Sequence, residues 1–203
     1  SSNGVLLTRH AAALKAAGLA RVNVSLDTLS RDRFAAITGM DQWQAVVDGI
    51  LEAERVGLSP IKVNTVLMKG VNDEEILDLV DFAIAHCLEL RFIEWMPTNP
   101  LVNLERDGRF LSNAVAQALI DTQYLLIPDD VDPHAPARSF RIAGTAARVG
   151  FINPLSTVFC AMFPAPRPFG VTWTSSAERE VRAIEHQPVK GGVPVYPRTP
   201  TAY

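Results

Sequence analysis

Three short strand-like runs, each separated from the next by a stretch with helical periodicity, constrain this chain more than any other feature. The runs are Arg21 to Leu26, Ile61 to Leu67 and Leu88 to Ile93. Between them, Gln42 to Val56 carries Trp43, Val46, Val47, Ile50 and Leu51 on one stripe and stops at Gly57. Glu74 to Ala85 likewise carries Ile76, Leu77, Val80 and Ile84 on one face after Asn72-Asp73, a pair suited to capping. A helix over Thr8 to Ala17, ending at Gly18, precedes the first strand. Strands alternating with helices of about 10 to 15 residues describe βαβ units on a parallel sheet, hence part of a (β/α) barrel or a doubly wound sheet. Ligands gather at the C-terminal ends of such strands.

Beyond Met96 the pattern changes. A polar, proline-containing loop runs to Arg109, followed by an amphipathic segment over Leu111 to Ile120 and short strands at Tyr124–Ile127, Ser139–Ile142 and Ala147–Ile152. This predicts an appended α+β layer. Half of the 14 prolines lie after residue 160, and the tail is expected to be disordered apart from a short helix near Ala177–Ile184. The expected divisions are residues 1–96, 97–160 and 161–203.

Composition narrows the function. With 48% hydrophobic residues the chain buries a core, and its formal charge of -3, spread over 19 basic and 22 acidic residues, leaves no basic footprint for nucleic acid. No run approaches the roughly 20 apolar residues of a membrane span, and no secretory leader opens the chain, so a cytoplasmic location is expected. Two cysteines are too few for a disulfide framework. Cys87, beside His86 at a helix end, reads more simply as a small buried hydrophobe than as a metal ligand. Lys62 lies in an apolar strand, where an unpaired ammonium is costly; it either reaches outward to water or meets an anion such as triphosphate. Asp27, Arg91 and Glu94 fall near strand ends, where they serve either as polar walls of a site or as partners in ion pairs of the rim.

Six stretches occur in one order: Ser1 to Gly4, Arg21 to Leu29, Phe34 to Gly39, Ile61 to Asp73 with its IKVNTVLM string, Leu90 to Met96 (LRFIEWM) and Gly150 to Cys160 (GFINPLSTVFC). Together they resemble the GTP 3′,8-cyclase (MoaA) family of the radical-SAM superfamily over nearly all of residues 1 to 160. The resemblance implies a partial radical-SAM barrel and S-adenosylmethionine (SAM), cleaved at a 4Fe–4S cluster held by an N-terminal CxxxCxxC loop. It also implies a second cluster near the C-terminus and conversion of GTP to 3′,8-cyclo-7,8-dihydro-GTP in molybdenum cofactor biosynthesis. The product passes to cyclic pyranopterin monophosphate synthase, with homodimerisation left open.

By position, the resemblance assigns Ser25 and Met96 to SAM, Lys62 and Ser1 to GTP, and Cys160 to the second cluster. The pattern then departs from the family. Phe163 stands where a second ligand cysteine is expected, no later cysteine follows, and Met162 to Arg167 replaces the Arg-x-Arg that contacts GTP. Such an abrupt end is what a shifted reading frame produces. The chain is therefore expected to be a fragment, inactive alone, that lacks the N-terminal cluster loop. Two rivals remain: a fragment of another radical-SAM enzyme, and a non-catalytic nucleotide-binding or dimerisation module.

Overall fold

A computed structural model describes residues 1–96, 108–129 and 137–154. In chain order the elements are α1 (Leu7–Ala16), β1 (Val22–Ser25), α2 (Arg31–Thr38), α3 (Trp43–Arg55), β2 (Ile61–Leu67), a 3₁₀ turn (Asp73–Glu75), α4 (Ile76–Ala85), β3 (Glu89–Glu94), α5 (Asn113–Asp121), β4 (Leu126–Pro128), β5 (Arg138–Ile142) and β6 (Arg148–Ile152).

The strands form one six-stranded sheet in the order β1-β2-β3-β6-β5-β4. β1, β2, β3 and β6 are parallel; β5 and β4 pair antiparallel. The three runs predicted as parallel strands are so, with helices between them. The appended α+β segment is present as α5 with β4, β5 and β6, and it continues the same sheet, because β6 hydrogen-bonds β3. Among the described residues the sheet is open, with β1 and β4 at its ends.

The alternation along β2 fixes which side carries the core. Ile61, Val63, Thr65 and Leu67 are buried, while Lys62, Asn64 and Val66 are half-buried. The buried set joins Val24, Leu90, Phe92, Val149 and Phe151 with the inner faces of α1, α3, α4 and α5, represented by Ala11, Ile50, Leu79 and Ile120. Helices therefore cover one side of the sheet, as right-handed crossovers between parallel strands require. Phe151 stacks on Phe92 at 6.2 Å and meets Phe140 edge-on at 5.8 Å, which joins the parallel and antiparallel parts through one aromatic cluster.

Gly49 shows how closely the first two long helices approach. A Cβ there would lie 2.5 Å from the carbonyl oxygen of Gly4, so α3 reaches the entry to α1 only because this position has no side chain. Between Asn72 and Asp73 the predicted cap takes another form. The Asn72 side chain accepts from Met68 N at 2.8 Å and donates to the carbonyls of Asp27 and Val66 at 2.7 and 2.8 Å, so it ties strand ends together instead of capping a helix. The tail from residue 161, with the helix predicted near Ala177–Ile184, lies outside the described residues.

Candidate ligand-binding face

The side of the sheet away from the helices is polar over its first two rows and turns apolar at Val66, Ile93 and Ile152, nearest the strands' C-terminal ends. Asn23, Lys62, Glu89 and Arg148 stand side by side across β1, β2, β3 and β6. One step nearer the strands' C-terminal ends come Ser25, Asn64, Arg91 and Gly150. Residues two apart on a strand share a face, so both rows point the same way.

Ser25 and Lys62, assigned to different ligands by resemblance, thus share one face on neighbouring strands, one row apart, roughly 8 Å by strand spacing and rise. Their placement differs from expectation in one respect. Ser25 is exposed at the C-terminal end of β1, whereas Lys62 sits at the N-terminal end of β2. The alternation that identifies a face says nothing of position along it.

Lys62 does not reach out to water alone. Its Nζ lies 3.1 Å from Glu89 Oε2, and the other Glu89 oxygen receives Arg91 through Nη2 at 2.7 Å and Nε at 2.8 Å. Arg148 and Arg141 meet Asp129 at 2.9 and 3.6 Å. Lys62, Glu89, Arg91, Asp129, Ser139 and Arg148 line one depression, three cations against two carboxylates. In the neighbouring row, in register with Arg91, the buried Asn64 Oδ1 has no hydrogen-bond partner among the described residues.

At the C-terminal end of β1 the chain leaves the sheet, and side chains take over the ladder. Asp27 Oδ1 accepts from Val66 N at 2.8 Å, replacing a strand carbonyl. Burial raises the Asp27 carboxyl above its usual range, partly offset by that Val66 N–H. The next turn is held by Glu75, whose carboxylate accepts from Thr28 Oγ1 at 2.7 Å and Leu29 N at 2.6 Å and pairs with Arg33. This knot fixes the loop beyond Ser25 to the 3₁₀ turn after β2.

The raised Asp27 carboxyl predicts a pH signature. A group whose folded pKa is raised favours the fold while protonated, and that contribution is lost as pH rises through the folded pKa. Asp27→Asn keeps an oxygen for Val66 N–H and removes the charge. The variant should therefore unfold at higher urea than the native chain at pH 7.5, and the gap should shrink as the pH falls towards the usual carboxylate range. A gap unchanged between pH 7.5 and pH 4 would contradict a buried Asp27 carboxylate.

The remaining assigned residues are dispersed. Met96 follows β3 and is 53% exposed. Ser1 is exposed, while its neighbour Ser2 bridges to Val24 at the β1 edge. Glu94 is not on the polar face: it is 1% exposed on the helix side, where it accepts from Asn113 N at 3.1 Å. Cys160 lies outside the described residues. Cys87 is exposed rather than buried, because it takes a left-handed φ of 51° as the chain turns out of α4. Its neighbour His86 is paired with Glu54 at 3.0 Å, and among the described residues no group of three or more His, Cys, Asp or Glu is placed to hold a metal ion. No helix among them is long and apolar enough to cross a membrane.

Sequence reasoning missed Asn64, Glu89, Asp129 and Arg148. Asn64 has the same parity as Lys62 within one strand and was available from that signal. Glu89 and Arg148 needed the register between strands.

The open α/β sheet thus carries its helices on one side and the polar rows on the other. Residues 1–83 match the family described as Radical SAM superfamily, and residues 88–162 the one described as Molybdenum Cofactor Synthesis C. Among curated relatives, GTP 3′,8-cyclase 2 of Pseudomonas aeruginosa is 42% identical over 160 residues, 79% of this chain and 48% of the relative. GTP 3′,8-cyclases of Alkaliphilus metalliredigens (41% over 160 residues) and Listeria monocytogenes (42% over 161) match equally, each over 79% of this chain and 49% and 48% of their own length. The chain belongs to the GTP 3′,8-cyclase family of radical-SAM proteins. It spans about half the length of the curated relatives it matches.

Proposed function

We propose that this chain forms the nucleotide-facing wall of a radical-SAM GTP 3′,8-cyclase, the enzyme type that converts GTP to 3′,8-cyclo-7,8-dihydro-GTP in molybdenum cofactor biosynthesis. The observation that carries the reading is the shared polar face of β1, β2 and β3, on which Ser25, Lys62, Asn64 and Arg91 stand together. In this reading the open sheet is an arc of a (β/α) barrel and its polar face looks into the barrel. Lys62, with Arg91 beside it, receives the triphosphate, and a guanidinium and an ammonium side by side suit adjacent phosphate oxygens. Ser25, with the exposed Met96, faces SAM: the hydroxyl offers a donor and an acceptor, the thioether a polarizable surface. Ser1 and Cys160 keep the roles that position gives them, towards GTP and the second cluster. The product would pass to cyclic pyranopterin monophosphate synthase, and a homodimer is compatible with the fold.

A cluster supplies the electron that cleaves SAM, and the donor set of this chain does not fit one. Its two cysteines fall short of the three or four thiolates that a 4Fe–4S centre uses. Cys87 also lies between α4 and β3, before the N-terminal end of that strand, whereas Ser25 closes the C-terminal end of β1. What these residues do is bind and orient. GTP titrated calorimetrically into the chain should bind weakly, and Lys62→Met should weaken it at least about tenfold, the value of a charge-assisted hydrogen bond to phosphate. Affinity indifferent to Lys62→Met would remove the triphosphate from this face.

A further inference from the structure

Glu89 stands in the polar face without an assigned role. It is the first residue of β3, its side chain is 9% exposed, and its two oxygens divide between Lys62 and Arg91. One buried carboxylate thus engages both cations that the proposed function gives to an anionic ligand. The same residue lies in register between Lys62 on β2 and Arg148 on β6, so it sits at the middle of the cationic row.

We propose that Glu89 is a positioning residue that sets the affinity and charge selectivity of this polyphosphate site, holding Lys62 and Arg91 side by side while its own negative charge opposes the incoming anion. The proposal rests on the reading of Lys62 as a phosphate ligand. Two opposing effects decide its sign. Pre-ordering two long side chains favours binding by limiting the rotamer freedom lost on association. A unit negative charge a few ångströms from the ligand, at an effective dielectric of about 20, opposes it more strongly. The repulsion also grows with ligand charge, whereas the ordering does not. Glu89 therefore restrains affinity most for the most highly charged anions and leaves a site from which a polyphosphate can depart.

Glu89→Gln separates these effects. The amide oxygen still accepts from Arg91, while the amide N–H now faces the Lys62 ammonium and frees it. Inorganic triphosphate, pyrophosphate and orthophosphate are titrated into the full chain, with circular dichroism confirming the fold of each variant. The expected result is a gain of about tenfold for triphosphate in Glu89→Gln and a smaller gain for orthophosphate. Glu89→Ala should give the same sign and Glu89→Asp should stay near the native affinity. Glu52→Gln, which removes a half-buried charge on α3 paired with Arg55, on the helix side of the sheet, should change nothing. A residue that only supported the fold would lower all three affinities alike when neutralised. Equal or weaker triphosphate binding in Glu89→Gln and Glu89→Ala, with Lys62→Met still weakening it, overturns the role of Glu89 alone. Triphosphate affinity indifferent to Lys62→Met overturns the anion site and this inference with it.

Discussion

Reconstituted anaerobically with iron and sulfide, the 203-residue chain is expected to hold no stoichiometric 4Fe–4S centre and to release no 5′-deoxyadenosine from SAM above a no-protein control. The effect is a complete loss, because reductive cleavage of SAM needs a cluster and a cluster needs several thiolates converging within one small volume. Cys87 and Cys160 are the chain's thiols, and Cys87 projects to solvent beyond α4. Iron content and product formation are read on the same sample. Four irons per chain together with SAM turnover would show that ligands other than cysteine complete the site.

The largest loss of stability from a single truncation is expected at Phe92. Its side chain is fully buried and stacks on Phe151, the residue through which the antiparallel strands join the core. Phe92→Ala leaves a cavity between β3 and β6 and should cost about 3–5 kcal/mol, read as a shift in the urea midpoint with an unchanged slope. Arg91 precedes Phe92 on the same strand and faces the opposite side. Phosphate affinity in the folded fraction of Phe92→Ala should therefore stay near the native value. A loss below about 1 kcal/mol would mean that the aromatic cluster is not the joint between the two parts of the sheet.

The parts of this fold that were legible in the sequence are those in which one chain segment carries its own signal. β2 announces itself by its apolar, β-branched run and α3 by its stripe, and each is observed within a residue of its predicted bounds. α2 was not predicted, because only Phe34 of its eight residues is buried and an apolar stripe never develops. Its ends were nonetheless marked: Ser30 accepts from Arg33 N at 3.4 Å, and Gly39 closes the helix at φ 73°. The strands of the C-terminal segment are legible locally, but their place in the sheet is not, because β6 finds its partner β3 across a long excursion and no local pattern encodes that pairing. The site divides in the same way. Ser25 and Lys62 could be named from their strands, whereas Glu89 acquires meaning only from lying in register with Lys62.

The one-sided cover of the sheet lets two properties drift independently over evolutionary time. Along β2 the odd-numbered positions belong to the helix-packed core and the even-numbered ones to the opposite wall, so neighbouring residues answer to different selective pressures. Exchanges at 62, 64 or 66 can retune what the wall recognises without opening a void behind it. Exchanges at 61, 63, 65 or 67 tax the fold while leaving the chemistry of the wall in place. A lineage can thus lose a ligand and keep the scaffold, which leaves the sheet available for a different guest.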